Sequence, residues 1–124
     1  MNSRFLIILI SLLVITLSCS DPNIIELTSP DGGETWHEQT TQEIQWETGF
    51  GIISVDISYS LNGGESWYEI DSDNESKYNW EIPSVERSYD SCLVKIQETD
   101  DETNYDISSS FFSIIADSTY YNVT

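Results

Sequence analysis

A chain of 124 residues holds one domain and little more. It carries 4 Lys plus Arg against 22 Asp plus Glu, a net charge of −18. A surface that acidic repels phosphate backbones and anionic headgroups, which excludes nucleic acid as a partner.

The chain opens as an export signal. Arg4 supplies the positive start, and Phe5 to Leu17 is apolar apart from Ser11 and Thr16. The apolar run is too short for a comfortable transmembrane helix and fits a secretory signal peptide over residues 1 to 18. Ser18-Cys19 resembles a bacterial lipobox, although Thr16 stands where that pattern usually has Leu. The resemblance implies acylation of Cys19 and a chain anchored to the cell envelope, at the outer membrane or cell surface, with plain secretion as the alternative. Loss of Arg4 with the signal leaves 3 basic residues against 22 acidic ones, a net charge of −19. The expected membrane contact is through the lipid anchor only.

Residues 20 to 23 read as a tether to a domain over residues 24 to 116. Ile24 to Leu27 is a first strand, stopped by Ser29-Pro30-Asp31-Gly32-Gly33, and Trp36 begins the next extended piece. Gln42 to Glu47 alternates, with Ile44 and Trp46 inward. After the Gly49-Phe50-Gly51 turn, Ile53, Val55, Ile57 and Tyr59 alternate with Ser54, Asp56, Ser58 and Ser60. Asn62-Gly63-Gly64 then predicts a hairpin loop with Gly64 left-handed and Tyr59 opposite Trp67; a two-residue turn would put Trp67 opposite Ser58. The first register keeps both aromatics on the buried face. Asp71 to Ser76 reads as a polar turn, and Tyr78, Trp80 and Ile82 share a face up to Pro83. Cys92 to Gln97 is a strand with Cys92, Val94 and Ile96 inward, so this thiol reads as a small buried hydrophobe. Thr99 to Asn104 reads as an acidic turn, Ile107 to Ile115 as the closing strand with Phe112 and Ile114 inward, and residues 117 to 124 as a tail. Seven or eight short strands at this spacing predict an all-β fold, an antiparallel sandwich of immunoglobulin or fibronectin-III type. Its expected aromatic core is Trp46, Tyr59, Trp67 and Trp80.

One phrase occurs twice. Ser29-Pro30-Asp31-Gly32-Gly33-Glu34-Thr35-Trp36 returns as Ser60-Leu61-Asn62-Gly63-Gly64-Glu65-Ser66-Trp67, 31 residues later. The phrase resembles the Asp-box hairpin of sialidases and other propeller proteins, where it is a structural turn and implies no activity. A spacing of 31 residues is shorter than the ~40–50 of a propeller blade, so no propeller is expected. The structural turns are therefore Asp31, Gly32, Gly33, Asn62, Gly63 and Gly64.

A longer order of motifs runs from Leu27-Thr28-Ser29-Pro30 and the first Gly-Gly-Glu-Thr-Trp to Gln42-Glu43-Ile44-Gln45-Trp46. It continues through Val55 to Ser60, the second Gly-Gly-Glu-Ser-Trp, Tyr78-Asn79-Trp80-Glu81-Ile82-Pro83, Val94-Lys95-Ile96 and Phe112-Ser113-Ile114. That order resembles the Kre9/Knh1-like N-terminal domain, also called the Ser-Thr-rich GPI-anchored membrane family domain, of fungal wall and bacterial surface proteins. The resemblance covers nearly the whole mature chain and implies an extracellular sandwich without established catalytic residues. Glu38-Gln39-Thr40-Thr41 departs from it, where many members carry a Gly.

No catalytic residues are expected. His37 is the only histidine, nothing resembles a nucleophile elbow, and no cofactor is implied. Asp71, Asp73 and Glu75, and Asp100, Asp101 and Glu102, are weak calcium candidates because neither loop follows the EF-hand spacing. Two functions stay open. One is a non-enzymatic interaction or structural module with a protein or glycan partner at the envelope. The other is a carbohydrate-binding accessory module, which would use clustered exposed aromatics drawn from Tyr68, Tyr89, Tyr105, Phe111, Tyr120 and Tyr121.

Overall fold

The computed structural model describes residues 21 to 117. The signal segment, Cys19 and residues 118 to 124 of the expected tail lie outside the described residues.

All regular structure among the described residues is strand: β1 (Ile25–Ser29), β2 (Thr35–His37), β3 (Thr41–Thr48), β4 (Val55–Ser60), β5 (Tyr68–Asp73), β6 (Lys77–Glu81), β7 (Tyr89–Glu98), β8 (Asp101–Ile107) and β9 (Phe112–Ile115). They form two sheets. The smaller is ordered β1-β3-β6, and the larger β2-β9-β7-β4-β5 with β8 also paired to β7. Pairing is antiparallel except where β2 runs parallel to β9. This is an immunoglobulin/fibronectin-III-like sandwich.

Alternation explains the core. Ile25 and Leu27 of β1, Ile44 and Trp46 of β3, and Trp80 of β6 face Val55 and Ile57 of β4, Cys92, Val94 and Ile96 of β7, and Phe112 and Ile114 of β9. Trp36 from the short β2 joins them. Its ring centroid lies 6.4 Å from Trp80, edge to face, and 5.2 Å from Phe112. At the edge formed by β1 and β8, Asp106 closes the sandwich by accepting the Leu27 backbone N–H at 2.8 Å.

Several expectations shift. Ile53 lies outside β4 and is 79% exposed, because the chain turns again at Gly49 to Ile52 before the strand begins. β5 runs on to Asp73, so the polar turn is shorter than Asp71 to Ser76. The acidic stretch Thr99 to Asn104 is mostly strand, paired to β7. The expected closing strand is two strands, β8 and β9, broken at residues 108 to 111. There Ser108 accepts the Val94 N–H on its hydroxyl at 3.0 Å and donates its own N–H to the Val94 carbonyl at 3.0 Å.

The hairpin differs in register. Tyr59 pairs with Tyr68, with a bulge between Ile57 and Ser58. A one-residue slip exchanges the faces of a strand, so Trp67 leaves the core side and Tyr68 stacks on Tyr59 at 5.3 Å. The cause is in the loop. Asn62 bridges to Ser91 of β7, and Gly63 donates to the Ser91 carbonyl at 2.8 Å, which carries the turn past a tight hairpin. Gly64 holds φ +95°, the left-handed position expected of it.

Candidate functional site

The outer face of the larger sheet carries an aromatic strip. Register places Lys95 opposite Ser58 on β4 and opposite Ile107 on β8, and Tyr105 opposite Gln97. These positions alternate with the buried Val94 and Ile96, so their side chains point away from the core. The Lys95 ammonium lies over Trp67, 4.5 Å from the ring centroid, and 5.6 Å from that of Tyr105. Leu93 continues the strip: a side chain at Gly64 would stand 3.6 Å from both Leu93 Cδ1 and Trp67 Cζ2. Leu93, Ile107 and Phe111 then line a shallow depression of about 410 Å³ with Ser108, Ser109 and Ser110. Tyr105 is 51% and Phe111 49% exposed.

Both glycine phrases build this site. The first docks on the break between β8 and β9: Gly33 donates to the Phe111 carbonyl at 2.9 Å, and Ser110 donates to the Asp31 carbonyl at 3.1 Å. The Glu34 carboxylate closes that turn by accepting the N–H groups of Asp31 and Gly32 at 3.0 and 2.9 Å. In the second phrase, Asn62 Oδ1 accepts from the Ser66 N–H and the Ser60 hydroxyl, and Ser60 Oγ accepts from Gly64. Gly63 then lies beside the Phe111 ring, with 3.6 Å between Phe111 Cζ and the place of a Cβ. The repeated phrase therefore frames Phe111 from two sides. It buries Trp36 in one copy and leaves Trp67 on the outer face in the other.

The expected core group is thus divided. Trp46 and Trp80 are buried, Tyr59 is half-buried against Trp80 at 4.9 Å, and Trp67 lies outside with Lys95. Trp36 fills the role expected of Trp67. Of the candidate surface aromatics, Tyr105 and Phe111 join the strip. Tyr68 stacks on Tyr59, Tyr89 packs under Arg87 at 5.1 Å, and Tyr120 and Tyr121 lie outside the described residues. Sequence alternation does not pair Lys95 with Trp67, because that contact depends on the hairpin register. The signal for Lys95 was its place between Val94 and Ile96, at an outward position of a buried strand.

A second cleft of about 410 Å³ opens at the other edge of the sandwich, where the free sides of β5 and β6 meet, and Tyr59, Tyr78, Trp80, Glu69 and Glu81 line it. Burial raises the Tyr59 and Tyr78 hydroxyls above their ordinary values, and for Tyr78 a hydrogen bond to Asp71 at 3.1 Å adds to this.

The acidic loops serve their own backbone. Asp73 accepts from the Glu75 N–H, and Asp101 accepts from both the N–H and hydroxyl of Thr103, which lowers its pKa. Glu102 is exposed on β8. No group of three or more His, Cys, Asp or Glu that could hold a metal ion occurs among the described residues, the turn at Asp100 included. His37 is exposed on β2. Cys92 is fully buried, and burial pushes its thiol up to about 11.

No family model matches the chain, and no curated protein does. Among solved structures it is similar to a fibronectin(III)-like module of CbhA from Clostridium thermocellum, at 12% identity over 75% of this chain and 94% of that one, with a TM-score of 0.42.

Proposed function

We propose that this chain is an exported, lipid-anchored envelope module that acts by binding and not by catalysis, with the Trp67–Lys95–Tyr105–Phe111 face as its contact surface. The observation that carries the reading is that strip: the exposed Tyr105 and Phe111 gathered with the half-buried Trp67, Lys95 and Ile107 on one sheet face of an otherwise acidic domain. Aromatic and aliphatic groups clustered in this way are the usual anchors of a binding surface. The resemblance to wall and surface domains agrees with such a role.

A photo-crosslinking residue at Tyr105 or Phe111 of the anchored protein should give discrete envelope adducts that the same residue at Gln45, on the smaller sheet, does not. Equal adducts from both faces would remove the site.

The strip also favours a second reading, a carbohydrate-binding accessory, because sugars stack on aromatic faces. A glycan array with the wild type and Trp67→Ala separates the two: selective signals lost in the variant assign a glycan, and a blank array leaves a protein partner.

A further inference from the structure

The end of the sandwich that receives the tether bears an apolar tip. Phe50 is 86% and Ile53 79% exposed, the highest values among the large hydrophobic side chains of the described residues. Both lie on the loop between β3 and β4, and the eight residues between Glu47 and Asp56 carry no charge in a chain with 22 acidic residues. Ile24, 47% exposed, immediately precedes β1 and is hydrogen-bonded through its carbonyl to Gly49 of this loop.

The entering chain is fastened to this loop. Gly51 donates to the Pro22 carbonyl at 2.7 Å, and Gly49 donates to the Ile24 carbonyl at 2.9 Å. The approach is so close that a side chain at Gly49 would collide with the Asp21 carbonyl and the Pro22 backbone. Asn104 on β8 adds a hydrogen bond to the Asn23 carbonyl at 2.9 Å. The tether expected over residues 20 to 23 is thus docked on the domain from Asp21 onward.

We infer that Phe50 and Ile53 rest in the surface of the bilayer that anchors the chain. The inference rests on acylation of Cys19. That cysteine precedes Asp21 by two residues, a span of at most about 7 Å. A chain fixed to lipid at Cys19 and to the loop at Pro22 holds the tip at headgroup depth, where apolar side chains bury about 5–10 Å into the interface. The neutral loop is the part of this end that can enter, since the flanking turns carry Glu75 and Asp100, which stay in water. The partner is therefore an uncharged or zwitterionic lipid surface, and the contact fixes the tilt of the domain so that the glycine turns and Phe111, at the far end of the strands, point away from it.

The test uses the full-length acylated protein in phosphatidylcholine vesicles. Phe50→Cys, Ile53→Cys and, at the opposite end, Asn62→Cys are each labelled with an environment-sensitive fluorophore. Cys92 is fully buried and gives no background. Labels at positions 50 and 53 should emit to the blue of the label at 62 and be quenched by nitroxide lipids. Phe50→Ser should return the label at 53 toward the emission of exposed dye. Emission as red as that at 62, with Cys19 shown by mass spectrometry to be acylated, overturns the inference and leaves the anchor standing. An unmodified Cys19 overturns the anchor itself, and the inference falls with it.

Discussion

Gln39 stands at φ +60°, the one side-chain-bearing residue among those described with a left-handed backbone. It lies in the short turn between β2 and β3, so its conformational cost is local. Left-handed backbone costs a residue with a Cβ about 1–2 kcal/mol, part of which Gly would return to the greater freedom of its unfolded chain. Gln39→Gly should therefore stabilise by about 0.5–1 kcal/mol, read from the denaturant midpoint. Gly64 is the converse. A side chain there meets nothing closer than 3.6 Å, so Gly64→Val is expected to cost about 1–3 kcal/mol from the backbone alone. Beside Gln39, the carboxylate of Glu38 is buried and accepts the Val85 N–H at 2.9 Å, the Asp117 N–H at 2.6 Å and the Ser84 hydroxyl at 3.2 Å. These bonds, Val85's foremost, hold its pKa below the ordinary 4.5. A lowered folded pKa stabilises the protein above the unfolded value, and that contribution is lost as pH falls through the folded one. Glu38→Gln should thus melt below the wild type at neutral pH, and the gap should narrow below about pH 4. A gap unchanged down to pH 3 or so would deny Glu38 this role.

At the scale of elements, β3, β4 and β7 were legible because each buries one face and exposes the other. Ile44 and Trp46, Val55 and Ile57, and Val94 and Ile96 are read straight from alternation. β8 was not legible, because Asp106 takes an inward-side position and spends its carboxylate on the Leu27 N–H, so no apolar rhythm marks the strand. The break at Ser108 to Phe111 was hidden for a similar reason: a serine hydroxyl replaces a ladder acceptor, which composition does not announce. Half of the candidate site was visible as loose aromatics, Tyr105 and Phe111. Trp67 was not, since its face depends on a single residue of register, set by a bulge and by the bridge from Asn62 to Ser91. The two copies of the glycine phrase consequently make opposite predictions. Trp36→Ala empties a space between Trp80 and Phe112 and should cost about 3–5 kcal/mol. Trp67→Ala loses mainly its contact with Lys95 and should cost about 1 kcal/mol. Urea titrations of the pair check this ordering, and the reverse order would restore the hairpin register with Trp67 inside.

Over the whole molecule the dominant fact is charge. Compensation is scarce: three basic residues remain against 22 acidic ones once Arg4 is set aside, Lys77 lies 3.8 Å from Glu43 in a well exposed pair, and Lys95 and Arg87 lie against aromatic rings. The repulsion among the remaining carboxylates acts through solvent and is screened over about 8 Å at physiological ionic strength. Stability should therefore rise with sodium chloride to a few tenths molar, then level as the screening length falls below the spacing of the charges. A calcium site would act by mass action on the folded state, saturating at concentrations that leave ionic strength unchanged. The geometry favours screening, because Asp73 and Asp101 already hold backbone N–H groups and Asp71 holds the Tyr78 hydroxyl. A melting series at constant ionic strength, with calcium exchanged for sodium, separates the two. A melting temperature that stays flat through micromolar calcium and rises with total salt is the expected result; a saturable rise at micromolar calcium would place a bound ion on one of the acidic turns.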